Sequence, residues 1–184
     1  MKVAAKYSHL GGEEFLLVHH APLYEELLGA IHEASAPAQS GVDRPVRISS
    51  GKQWLAFHGS KALARLLQAR GWIAPKLTAY PGGEAAGPAP PLRKSAAPRH
   101  FVKEGVDVAV QLGRRPRYQF ELFAGHMLLY RSGEIDVGVH ILPTKEMQPE
   151  MSSGVAYYEG EVYNVLRHGR NNPPVPLLII GVVP

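Results

Sequence analysis

Residues 101–125 read FVKEGVDVAVQLGRRPRYQFELFAG. Two runs within this stretch alternate with period two. In the first, Val106, Val108 and Val110 face one way, and Asp107, Ala109 and Gln111 the other. In the second, Tyr118, Phe120 and Leu122 share a face opposite Gln119, Glu121 and Phe123. Such alternation predicts β-strands. Gly113-Arg114-Arg115-Pro116 lies between the runs, so the pair reads as an antiparallel hairpin. The first strand carries Asp107 and Gln111 on its less apolar face. A carboxylate there is costly to bury unless it is paired or bound to a cation. Two readings stay open: a solvated acid on the hairpin surface, or an oxygen ligand on a rigid strand for a hard divalent ion such as Mg²⁺.

The chain has 184 residues, which is expected to make one domain over 1–184 with a sizeable core. Hydrophobic content of 45% and charged content of 20% fit a water-soluble globular protein. No apolar run approaches the ~20 residues of a membrane span. The opening MKVAAKYSHL lacks the apolar core of a signal peptide, so a cytoplasmic location is expected. The absence of cysteine excludes disulfides and thiolate zinc sites. A net charge of +4 and a pI of about 9.4 lean toward a polyanionic partner, a leaning that many enzymes share.

Along the chain, residues 1–7 predict a short strand. Pro22 suits a first helical position, and Leu23, Leu27, Leu28 and Ile31 follow at helical spacing, with an end near Ser35. His19 and His20 are adjacent, which does not match a helical metal pair; they read as structural or surface residues. Residues 36–43 predict a loop and 54–57 a short strand. Ser60 is expected to cap a helix with Leu63, Leu66 and Leu67 on its apolar stripe, ended by Gly71 in the left-handed conformation. Lys61, Arg65 and Arg70 are the charged positions there, solvated or meeting phosphates. Residues 78–98 are rich in Pro, Gly and Ala and predict a long mobile loop. Its end is basic, with Arg93, Lys94, Arg99, His100 and Lys103, and the turn adds Arg114, Arg115 and Arg117. Basic segments of this kind can hold phosphates. Further on, residues 125–131 form a short apolar piece, 135–142 a strand and 154–168 a helix. VPLLIIGVV at 175–183 reads as a strand covered on both faces. The sum is an α/β domain, a mixed β-sheet flanked by helices. No glycine-rich phosphate loop is present, which argues against P-loop kinases and dinucleotide oxidoreductases.

The blocks KYSHLGGEEF, LLQARGWIAPK, FVKEGVDVAVQLGR, GEIDVGVHILPTKEM, EMSSGVAYYEGEVYNVLRHGR and VPLLIIGVVP occur in an order and spacing that resemble type II restriction endonucleases of the BglII and BstYI kind. The resemblance covers most of the chain. It implies the metal-dependent nuclease core, a homodimer, palindromic double-stranded DNA as partner, and Mg²⁺ as cofactor, with Mn²⁺ able to substitute.

The same resemblance exposes a departure. The family has an Asp just before its Phe-Val-Lys block and Glu-Val-Gln further along the strand. Here His100 and Ala109 stand at the two acid positions, and only Gln111 is kept. The resemblance therefore implies a DNA-binding relative whose Mg²⁺-dependent hydrolysis is weakened or lost. The alternative is an active endonuclease in which Asp107, one pleat and roughly 7 Å from Ala109, serves as a displaced ligand. In that case His100, Asp107 and the carbonyl of Val110 would hold the ion, and Gln111 would orient a water. The match also places Arg114 at a basic DNA contact and Ser152 and Ser153 in a base-reading loop, where arginine suits guanine and serine can meet several base edges. A small-molecule α/β enzyme is the third class, with no cofactor motif behind it.

Overall fold

The alternation at 106–110 forms a strand, but its antiparallel partner precedes it. In the computed structural model of the chain, which describes residues 1–34, 59–75, 100–113, 121–150 and 155–184, strand β2 is His100–Lys103 and β3 is Val106–Val110. They pair antiparallel, with Lys103 opposite Val106 and His100 opposite Ala109. The two residues between them, Glu104 (φ 47°) and Gly105 (φ 80°), both have positive φ. That is the left-handed geometry of a tight two-residue hairpin, whose twist matches its strands. Glu104 is an unusual occupant of the first turn position.

The expected antiparallel pairing of β3 with residues 121–123 is therefore not formed, and residues 118–120 lie outside the described residues. The Arg114–Arg117 turn lies outside the described residues, but Glu121–Gly125 is a π-helical turn rather than a strand. The reason is that a strand has two edges, and those of β3 are filled by β2 on one side and by β4, Val137–Pro143, on the other.

Among the described residues the sheet has five strands, in the order β1 (Lys2–His9), β5 (Leu177–Val183), β4, β3 and β2. β1 and β5 are paired antiparallel. The β5–β4 and β4–β3 pairs are parallel. The sheet is thus mixed, as expected. β4 is buried along its whole length, and β5 in all but its last residue, which explains why both are apolar apart from His140.

Helices cover both faces. α1 (Gly12–His19), α2 (Ala21–Glu33) and α3 (Ser60–Ala69) occur before β2 in the chain. Leu16, Leu23, Leu27, Ile31, Leu63 and Leu67 join Val106, Val108, Val110, Val139 and Ile180 in one core. On the other face Leu122, Ala156 and Val165 pack with Leu142, Leu177 and Ile179. Val165 belongs to α5 (Tyr158–His168), and α4 is His126–Arg131. The alternation of β3 thus separates two buried environments, so Asp107 is enclosed rather than solvated. Ser60 is not a cap: Gly59 before it already has helical angles, and no side chain caps the helix. Gly71, at φ 84°, does end α3 in the left-handed region. His19 stacks on Phe15 at 4.5 Å, in keeping with a structural residue. The expected loops at 36–43 and 78–98 and the strand at 54–57 lie outside the described residues.

Two of the basic side chains expected to be available to phosphates are engaged within the fold. Lys103 donates to both carboxylate oxygens of Glu26 at 3.0 Å and to the carbonyl of Arg70 at 2.8 Å. Arg70 pairs with Glu33 and donates to the carbonyl of Glu26. Trp72 Nε1 also donates to Glu26, at 2.6 Å. With the Ile73–Val102 bridge, this network ties β2 to α2 and to the end of α3, and so fixes where His100 stands.

One buried acid has incomplete compensation. Glu161, in the first turn of α5, is buried and its Oε2 has no partner. Burial pushes its carboxyl pKa up, against a smaller lowering by the Asn164 hydrogen bond. A raised folded value means that the folded state binds more protons. Stability therefore falls as pH rises from the unfolded carboxyl's pKa of about 4.3 through the raised one. Glu161→Gln removes that titration. It is expected to stabilise the protein by about 1–2 kcal/mol at neutral pH and by nothing near pH 4, read from urea unfolding at both pH values. Equal effects at the two pH values would refute the assignment.

Candidate metal centre

Asp107 stands at the centre of a buried row of histidines. It is on β3, next to Gly138 of β4 in the parallel register. Its Oδ2 accepts a hydrogen bond from His100 Nδ1 of β2 at 2.7 Å. The same oxygen lies 2.7 Å from Nδ1 of His126, the first residue of α4. Asp107, His126 and His140 are fully buried, and His100 and Gln111 nearly so. The row continues from His126 Nε2 to His140 Nδ1 at 3.1 Å, and from His140 Nε2 to Gln111 Oε1 at 2.8 Å. The rings of His100 and His126, and of His126 and His140, meet edge to face at 5.3 and 5.4 Å.

Each element has a physical reason to be there. The period of two puts Asp107, Ala109 and Gln111 on one side of β3, away from the valines. On β4 the same period places His140 between Gly138 and Leu142, while Val139 and Ile141 enter the opposite core. Gly138 makes the room that His126 occupies: a Cβ there would lie 2.6 Å from His126 Nδ1 and 2.5 Å from Leu177 Cδ2. Gly138→Ala is expected to displace His126 and to cost about 1–3 kcal/mol by overpacking, measured by urea unfolding. An unchanged midpoint would show that the helix yields freely.

The electrostatics are dominated by one buried charge. Burial by itself pushes the Asp107 carboxyl pKa up. Interactions with the His100 and His126 side chains outweigh this and hold it well below the usual carboxylate range. Among the described residues, Asp107 Oδ1, His126 Nδ1 and Gln111 Nε2 meet no partner within hydrogen-bond geometry.

Of the residues expected from the sequence, His100 and Asp107 meet directly and Gln111 joins through His140. Val110 faces the other core with its side chain, so only its backbone could take part. Ala109 lies across from His100 and beside His140 in register, leaving a methyl group between two imidazoles. Arg114, Ser152 and Ser153 lie outside the described residues. His126 and His140 were not anticipated. The signal for His140 was a polar residue inside the apolar run VGVHILP; His126, in the short piece at 125–131, had none. Ligand atoms of His100, Asp107 and His126 lie within 4.8 Å of one another, close enough to share one ion.

The family model for restriction endonuclease BglII/BglIII matches residues 4–182. The chain belongs to this restriction endonuclease family. Among solved structures, the crystal structure of free BglII superposes with a TM-score of 0.61 at 16% identity, covering 100% of this chain and 80% of that one. No curated protein matches the chain by sequence. Family membership and the shared fold agree with the mixed sheet and with the block order. The family's divalent-metal chemistry is a separate matter, and the donor set tests it. Mg²⁺ takes oxygen ligands in near-octahedral geometry, whereas this cluster offers two imidazole nitrogens and one carboxylate. The residues present do not fit Mg²⁺. Among the described residues, no helix is long and apolar enough to cross a membrane.

Proposed function

We propose that this member of the restriction endonuclease family binds palindromic double-stranded DNA as a homodimer, and that its Mg²⁺-dependent phosphodiester hydrolysis is weakened or lost. One observation carries the reading. The resemblance places two acids across β2 and β3 from one another, and at that register pair this chain has His100 and Ala109. An imidazole and a methyl group cannot replace two charged oxygen donors. A two-fold DNA target is met most simply by two copies related by the same symmetry. The stripes Leu23, Leu27, Ile31 and Leu63, Leu67 are used by the chain's own core, so the dimer contact falls on other surfaces. Arg114, Ser152 and Ser153 carry the recognition in this reading.

Purified protein incubated with plasmid and Mg²⁺ or Mn²⁺, beside a gel-shift assay, tests the proposal. A shift without discrete fragments is expected. Rapid cutting into discrete fragments would instead favour the second reading, cleavage with Asp107 as a displaced ligand. That reading is supported by the position of the carboxylate between two nitrogen donors.

Binding is expected to weaken steeply with salt if Arg93, Lys94, Arg99, Arg114, Arg115 and Arg117 meet phosphates. The log–log slope should be about 0.9 per contact. Ser153→Ala should leave that slope alone and weaken the preferred site relative to random DNA by about 1–3 kcal/mol. A flat salt plot would remove these residues from the interface.

A further inference from the structure

We infer that the buried row is a site for a borderline transition-metal ion of the Zn²⁺ class, held by Nδ1 of His100, Nδ1 of His126 and the carboxylate of Asp107. The inference does not depend on the DNA-binding reading. It starts from the three ligand atoms, which come from β2, β3 and α4 and lie within 4.8 Å of one another. Two imidazoles with one carboxylate are a donor set that Zn²⁺ accepts and Mg²⁺ does not. On binding, His100 Nδ1 exchanges its hydrogen bond to Asp107 for the ion, and its proton passes to Nε2 or to solvent.

The direction of the hydrogen bonds gives an independent reason. Gln111 Oε1 accepts from His140 Nε2, so a neutral His140 presents its Nδ1 as an acceptor. His126 then donates from Nε2 to that nitrogen. The other ring nitrogen of His126, Nδ1, lies 2.7 Å from Asp107 Oδ2, so one ion can meet both. Among the described residues, the other carboxylate oxygen, Asp107 Oδ1, is buried without a hydrogen-bond partner. One dication would engage the carboxylate and His126 Nδ1 together and supply the counter-charge that the buried carboxylate requires. The outer partners of His126 fit as well. A ligating histidine usually anchors its other ring nitrogen, and here His140 and Gln111 do so. Gly138 completes the arrangement by leaving space for the His126 ring.

The test uses the full chain, freed of metal with a chelator and dialysed. Zn²⁺, Co²⁺ and Mg²⁺ are titrated separately by calorimetry and by thermal denaturation. Expected results are one Zn²⁺ per chain with a raised melting temperature, and no saturable Mg²⁺ uptake in the same concentration range. Co²⁺ should develop visible absorption of nitrogen and oxygen coordination in the natural protein, which requires no variant to fold. His126→Gln should lower Zn²⁺ affinity at least tenfold, whereas His19→Gln, on exposed α1 surface, should not change it. The inference is overturned if the natural protein takes up neither Zn²⁺ nor Co²⁺. It is equally overturned if Mg²⁺ binds as tightly, or if uptake is unaffected in folded His126→Gln protein. None of these outcomes depends on whether DNA is bound or cut, so a failed gel shift would leave the metal result standing.

Discussion

Changing His100 to Asp and Ala109 to Glu together is expected to produce Mg²⁺-dependent DNA cleavage at least about a hundredfold above that of the natural protein. A hundredfold corresponds to about 2.7 kcal/mol of barrier. Positions 100 and 109 are directly opposite in the β2–β3 ladder. Side chains so placed have Cβ atoms about 4.5–5.5 Å apart, close enough for two carboxylates to flank one cation. Mg²⁺ held there would polarise the phosphate and lower the pKa of a bound water. The chain's own part is to supply rigid oxygen donors, with Gln111 already anchored beside them through His140. Each single change should do less: His100→Asp leaves a methyl group opposite the new acid, and Ala109→Glu leaves an imidazole. Initial rates of plasmid nicking against Mg²⁺ concentration measure the effect. A folded double variant that binds DNA but neither takes up Mg²⁺ nor nicks would refute the position of the site.

Removing the central charge is expected to have the largest effect on stability. Asp107→Ala in metal-free protein should cost about 3–5 kcal/mol, because it strips the carboxylate from two buried imidazoles and leaves His100 Nδ1 without its acceptor. For a chain of this size each kcal/mol lowers the melting temperature by roughly 2–4 °C, so a loss of about 10 °C or more is expected. Asp107→Asn should cost less, since the amide oxygen still accepts from His100. The milder variant also decides the catalytic question. If Asp107 serves as a displaced ligand, Asp107→Asn abolishes any cleavage shown by the natural protein and leaves DNA binding intact or tighter. Undiminished cleavage with Asp107→Asn in place would sink that role. Urea and thermal unfolding in chelator, paired with plasmid nicking, separate the structural effect from the catalytic one.

Much of the architecture was legible in the residues. Runs such as VPLLIIGVV and the stripe Leu23, Leu27 and Ile31 encode burial through local period alone, and local period survives into the fold. The block order identified the family, which the match over residues 4–182 bears out. It also located the departure at His100 and Ala109, because that comparison needs only position along the chain. Pairing was not local. The partner of β3 was misread because the Glu104–Gly105 turn lacks the usual Asn or Asp, and because nothing in the sequence states that both edges of β3 are taken.

The site shows the same division. Residue type and strand phase put Asp107 and Gln111 on one face of β3. Whether that face met water or a second core depended on α4 and α5, which lie later in the chain. His126 and His140 stand 19 and 33 residues beyond Asp107, and neither forms a motif with it. They reach the carboxylate's row because β4 lies parallel to β3 and Gly138 leaves space for a ring above it. The sequence alone determined the family and the mixed sheet, since both are written in order and period. Only the tertiary structure decided that the remaining acid is buried among histidines, because spacing along a chain does not determine which side chains share a dry interior.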